Sequence, residues 1–166
     1  VLYAQRVTSN PILNQQQTGI STGGSTSISI SASATVMSGN IELMTVADMG
    51  IVDASRAEND IVYINPVFDA EAGIMKAIGE PNAQIRVSYL AEREVFRSDG
   101  PGRLLFVYEV SGFPGDNQRQ SELLEAMERE VRLNAAGEYY FWIGGRVDVS
   151  QAQPGSYEGD FTIEIE

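Results

Sequence analysis

Ten consecutive residues alternate without a fault from Ser27 to Val36. Ile28, Ile30, Ala32, Ala34 and Val36 fall on one side of an extended chain, and Ser27, Ser29, Ser31, Ser33 and Thr35 on the other. Successive side chains of a strand point to opposite faces, so this pattern predicts a strand with one face in a core and the other in water.

Strand-like runs follow at 41–46, 61–64, 73–78, 84–90, 103–110, 138–143, 146–149 and 157–165. Turn formers separate them: Ser38-Gly39-Asn40, Glu80-Pro81-Asn82, Asp99-Gly100-Pro101-Gly102 and Gln153-Pro154-Gly155. Many short strands with turns at such intervals predict an all-β fold, a single antiparallel β-sandwich of the immunoglobulin-like or pilin-like kind. Ile28, Ile30, Val36, Val87, Phe106, Tyr157, Phe161 and Ile163 are its predicted core. One segment has two readings. Leu123, Leu124, Met127 and Val131 have helical spacing, which favours one short amphipathic helix over 121–131. The competing reading is a strand over 127–133, turned back through 134–137.

Residues 1–27 have a different character and are read as an extended arm and linker, with the sandwich at 28–166. Val1, Tyr3 and Val7 lie on one side of an extended chain, interrupted by Gln5, and Ile12 and Leu13 follow Pro11. Asn14-Gln15-Gln16-Gln17 and a Gly/Ser/Thr stretch through Gly23-Gly24 then form a flexible tether. The arm is either a first strand of its own domain or a donor strand for another copy. The sequence opens on Val1, which suggests a processed chain and secretion.

Composition removes several classes of chemistry. There is no His and no Cys, which excludes Ser-His catalysis, thiolate metal sites and a disulfide framework. A net charge of −12, with ten Arg and the single Lys76, opposes binding to nucleic acid or anionic membranes. No apolar run approaches the ~20 residues of a membrane-spanning helix. Carboxylate pairs of the glycosidase type would have to come from Glu92 with Glu94, Glu58 with Asp60, or the run Glu122, Glu125, Glu128 and Glu130. Nothing in the sequence sets one of these apart, and the reading is that the chain is not an enzyme and needs no cofactor. Asp69 with Glu71, or Asp116 with Asn117, are candidate oxygen ligands for calcium. Tyr139-Tyr140-Phe141-Trp142 splits by alternation into two pairs, the outward one a candidate platform for carbohydrate.

The C-terminal third carries a recognisable pattern. Residues 134–145, Asn-Ala-Ala-Gly-Glu-Tyr-Tyr-Phe-Trp-Ile-Gly-Gly, include Gly137, Gly144 and Gly145; residues 151–163 include Gly155, Tyr157, Gly159 and Phe161. With a looser match at 67–83, they resemble a bacterial family of secreted, pilin-like β-sandwich domains of unknown function. The last strand of that family reads Gly-x-Tyr-x-Gly-x-Phe. The resemblance spans 28–166, and there are two departures. Met44 to Met49-Gly50 stands where members carry Phe-Gly, and 118–132 looks like an insertion. The resemblance implies an exported structural protein and brings no catalytic residue with it.

Together these readings predict a structural subunit of an extracellular bacterial filament or pilus, a homo-oligomer. It would assemble by strand addition through Val1, Tyr3, Val7, Ile12 and Leu13. The alternative is a monomeric secreted binding module for carbohydrate or a surface partner.

Overall fold

A computed structural model describes residues 25–36 and 40–166. Its strands are β1 (Thr26–Val36), β2 (Glu42–Ala47), β3 (Met49–Asp53), β4 (Ile61–Ile64), β5 (Gly73–Ile78) and β6 (Gln84–Tyr89). The second half holds β7 (Glu92–Arg97), β8 (Arg103–Phe113), β9 (Glu122–Leu124), β10 (Arg129–Arg132), β11 (Glu138–Asp148) and β12 (Gly155–Ile165). All belong to one 12-stranded sheet whose longest path runs β10-β6-β12-β7-β8-β11-β5-β2. β1 lies on the free side of β12 and comes alongside β2, so the sheet is nearly closed into a barrel.

The fold is all-β, as alternation predicts, but it is one mixed sheet and not two antiparallel layers. β1 runs parallel to β12 in unbroken register from Thr26↔Gly155 to Val36↔Ile165. The first and last described strands are thereby zipped together, and the other pairings are antiparallel. Alternation assigns faces; it carries no information about which strand is the neighbour or which way it runs.

One face of every long strand fills the interior. Ile28 and Ile30, Ile85 and Val87, Phe106 and Val110, Tyr139 and Phe141, and Phe161 and Ile163 are buried there. The side chain of Val36 lies outside the described residues, and the other seven predicted core residues are each at most 2 % exposed. Each such side chain contributes about 1.5–3 kcal/mol on leaving water. The rings of Tyr108 and Phe161 sit 4.8 Å apart at the centre. Two predicted strands, 138–143 and 146–149, are a single one. Gly145 carries the chain through at φ +142°, where a Cβ would overlap the Val107 carbonyl.

The short helix over 121–131 does not form. After a 3-10 turn at Gln118–Gln120, that stretch forms β9 on β8 and most of β10 on β6. Leu124 turns inward, whereas Leu123 and Met127 stay exposed at 55 % and 79 %. The apolar spacing suits a helix, but the open edges of β8 and β6 offer backbone partners on both sides, and ladder pairing prevails over local period. The competing strand reading matches β10, although β10 pairs with β6 and makes no hairpin with β11. β3, β7 and β9 lie outside the predicted strand runs.

Candidate functional site

Among the described residues no ladder joins β1 to β2, although the two strands lie alongside each other. Only Asp48 separates β2 from β3, yet the two use opposite neighbours. β2 pairs with β5 (Glu42↔Ile78, Leu43↔Ala77, Met44↔Lys76, Thr45↔Met75). β3 pairs with the first part of β1 (Ser27↔Asp53, Ile28↔Val52, Ile30↔Met49). The ladder between β1 and β3 ends at Ile30↔Met49. Irregular register in both ladders, between Thr45 and Ala47 and between Ile28 and Ile30, adds local twist at the fork.

Burial drops sharply at this seam. Paired residues of adjacent strands share a face, so Leu43 and Thr45 face inward with Ala77 and Met75. Ala77 and Met75 are 0 % exposed, whereas Leu43 is half-buried and Thr45 exposed. On the outer face Met44 is 43 % exposed, and Val46, at the irregularity, 53 %. β2 thus shows Met44 and Val46 to solvent and has β5 as its one strand partner among the described residues. The other end of the sheet path is different. β10 reads Arg129-Glu130-Val131-Arg132, a charged edge of the kind that resists pairing with foreign strands.

The outer face beside the seam carries one local ion pair. Lys76 Nζ lies 2.9 Å from Glu138 Oε2 and 5.3 Å from the ring centre of Tyr140. The hydrogen bond to Glu138 raises the Lys76 pKa and, in return, holds Glu138 below its ordinary value.

Most residues singled out from the sequence lie elsewhere. The donor candidates Val1, Tyr3, Val7, Ile12 and Leu13 are outside the described residues. The glycine and aromatic motif is structural. Gly137 (φ +82°) is pressed on the Gly79 carbonyl and Gly144 on that of Ile64, while Gly155 has φ +143°, as its turn position predicts. Tyr157 and Phe161 are core, and Gly159 keeps β12 close to Val95. Glu92 and Glu94 share the exposed outer face of β7, with Glu94 3.6 Å from Arg103. Asp69 accepts a 2.7 Å hydrogen bond from the Asn65 amide, and Glu71 pairs with Arg56 at 2.6 Å. Asp116 and Asn117 are exposed in the loop before the Gln118–Gln120 turn. Among the described residues, no three acidic side chains converge as a cation would need.

The aromatic run splits as alternation predicts, with Tyr139 and Phe141 inward. The outward Trp142 is nevertheless only 2 % exposed, and Tyr140 is half-buried, stacked on it at 6.1 Å. Pro66 packs at Gly144, and its carbonyl accepts from Ser111 Oγ (3.3 Å) and Gln118 Nε2 (2.9 Å). Ser111 is the cross-strand neighbour of Trp142, so this layer covers the indole and leaves no flat face for a sugar. A separate shallow groove of about 290 Å³ lies between Tyr89, Leu90, Met127 and Glu164.

The seam itself had a faint signal in the sequence. Glu-Leu-Met-Thr-Val-Ala lacks a polar face, unlike the solvent-facing strands around it.

Compared with models of known protein families and with curated proteins, the chain matches none. No described helix is long and apolar enough to cross a membrane.

Proposed function

We propose that the chain is a structural subunit of an extracellular bacterial filament, and that the N-terminal arm of one copy completes the sheet of the next at the β1–β2 seam. The observation that carries this reading is the edge of β2, where Met44 and Val46 are 43 % and 53 % exposed on a strand with β5 as its one ladder partner among the described residues.

The arm has the properties of such a strand. Val1, Tyr3 and Val7 present one apolar row, and Ile12 and Leu13 extend it past Pro11. Burying four such side chains contributes on the order of 6–12 kcal/mol before ordering costs. Each ladder hydrogen bond adds ~0.5–1.5 kcal/mol. The polar, Gly-rich linker supplies reach, and the resemblance to secreted, pilin-like domains supports the extracellular setting. Among the described residues, the carboxylates named above are solvated or already paired.

Removing residues 1–13 tests the reading. The full chain should form filaments visible by electron microscopy, and the truncated chain should stay a single species of about monomer size in light scattering. Filaments from the truncated chain would sink the proposal, and a full chain that stays monomeric would favour a binding module.

A further inference from the structure

Rows of side chains cross the outer face where β10, β6 and β12 lie side by side. In one row, Arg86 of β6 stands opposite Glu130 of β10 and pairs with Glu166 at 3.5 Å. In the next row along β6, Ser88 stands opposite Glu164 of β12, and Glu128, just ahead of the β10 ladder, lines the same shallow groove. Two carboxylates again flank a residue of β6, but here that residue is a small, neutral, half-buried serine. Among the described residues, neither Glu128 nor Glu164 has an ion-pair partner.

Beyond Ser88 the groove turns apolar. Leu90 is 66 % exposed and Met127 79 %. Both stand out because the backbone leaves its ladders at this point. Tyr89 pairs with Ile163 and Phe96 with Glu158, so residues 90–95 stand against the shorter stretch 159–162 and bow away from β12. On the opposite wall the Tyr89 amide donates to the Ala126 carbonyl at 2.9 Å, and Glu128 has φ +47° where the chain enters β10. The Tyr89 hydroxyl donates to the Leu124 carbonyl at 2.9 Å and holds that wall in place.

We propose that this groove docks an extended peptide segment of a partner protein, with an arginine over Ser88 and an apolar residue two positions away against Leu90 and Met127. The pattern of charge selects that occupant. Neighbouring strands lie ~4.8 Å apart, so a planar guanidinium over Ser88 meets a carboxylate on each side, in the place that Arg86 holds one row before. Alternate residues of an extended chain are ~6.6–6.8 Å apart on one face, which matches the step from Ser88 to Leu90. An acidic peptide is opposed by both carboxylates and by the net charge of −12. Residues 1–13 of this chain lack the pattern, because Ala4 and Thr8 are the residues two positions from Arg6. Arg103 and Leu105 of a second copy have the spacing, but Glu94 lies 3.6 Å from Arg103 and opposite Leu105, and docking would press it on the groove's own carboxylates. The groove shares no residue with the β2 edge, so it stands whether or not copies join by strand addition.

Methyl-labelled methionine reads the site by NMR, since Met127 borders the groove while Met75 is 0 % exposed. The probe is the end-blocked peptide Gly-Arg-Ser-Leu-Gly. It should shift the Met127 methyl signal and leave that of Met75 in place, with a Kd on the order of 1 mM for a contact of this size. Citrulline in place of the arginine, which removes the charge, should weaken binding at least about fivefold. Glu128→Gln and Glu164→Gln should each weaken it about two- to fivefold. Ser88→Arg, which fills the row from within, should abolish binding without lowering the melting temperature. An unmoved Met127 signal, equal binding of the citrulline peptide, or undiminished binding by folded Ser88→Arg would overturn the proposal. Broadening of the Met127 signal with protein concentration alone, removed by Arg103→Ser, would make a second copy the occupant and overturn it as well.

Discussion

Gly159 of β12 and Val95 of β7 share one space: a Cβ on Gly159 would stand 2.6 Å from Val95 Cγ1. Val95 is 0 % exposed and has no open side to move toward. Gly159→Ala should therefore destabilise the domain by about 1–3 kcal/mol through overpacking. Val95→Ala, which alone leaves a cavity, should recover part of that loss when combined with it. A urea double-mutant cycle measures the coupling, and strictly additive effects would show that the two residues do not compete for the same volume.

Tyr108 and Tyr139 set the alkaline limit of stability. Burial is the main cause for both: it pushes Tyr139 up to about 12 and Tyr108 further still, from an ordinary value of 10.0. Above pH 10 the unfolded chain loses these protons while the folded chain keeps them. Stability is thus complete below pH 10 and falls as pH rises toward the folded values, by ~1.4 kcal/mol per pH unit for each such tyrosine. Tyrosinate absorbance near 295 nm should show a fraction that appears only with loss of β circular dichroism. A smooth titration of all the tyrosines in a still-folded chain would contradict this.

What could be read from the sequence follows from what a local pattern contains. Ile28 and Ile30, and the row from Tyr157 to Ile165, declared their inner face through period two, and the structure buries the inward row they mark. β7 went unread because Glu92, Glu94 and Phe96 are exposed and Val95 is its one fully buried side chain, so the strand looks polar. The stretch around Leu123 and Met127 was misread because helical spacing competed with distant backbone partners on β8 and β6. The parallel match of β1 to β12 and the partner switch at Asp48 are non-local facts, and the seam depends on both. The apolar row in residues 1–13 is legible in the sequence, whereas the edge proposed to receive it is not.

Gln118 holds the cover over Trp142. Its Nε2 donates to the carbonyls of Pro66 at 2.9 Å and Asp69 at 2.8 Å. Gln118→Ala removes one of two donors from each carbonyl, leaving Ser111 Oγ on Pro66 and the Ala72 amide on Asp69, and should cost about 0.5–1.5 kcal/mol for each hydrogen bond lost. Trp142 is the only tryptophan, so its emission reports the site alone. The variant should show red-shifted emission and faster acrylamide quenching while still folded. An unchanged spectrum would mean that the Pro66 segment stays in place without Gln118.

Val46→Lys should separate folding from assembly. Val46 lies at the irregularity of the β2–β5 ladder and is 53 % exposed, so the isolated domain loses little packing. Substitutions at such positions ordinarily change stability by no more than ~0.5 kcal/mol. If copies assemble by strand addition on β2, as proposed, the same position lies against an incoming strand, and a lysine on an edge is a standard obstacle to further pairing because its charge must stay hydrated. Thermal unfolding of Val46→Lys should follow that of the unmodified chain, whereas its association should weaken at least tenfold in light scattering. Val131→Lys on the already charged β10 edge should leave association unchanged. Equal loss from both substitutions would point to a general effect of added charge, and no loss from Val46→Lys would remove β2 as the receiving edge.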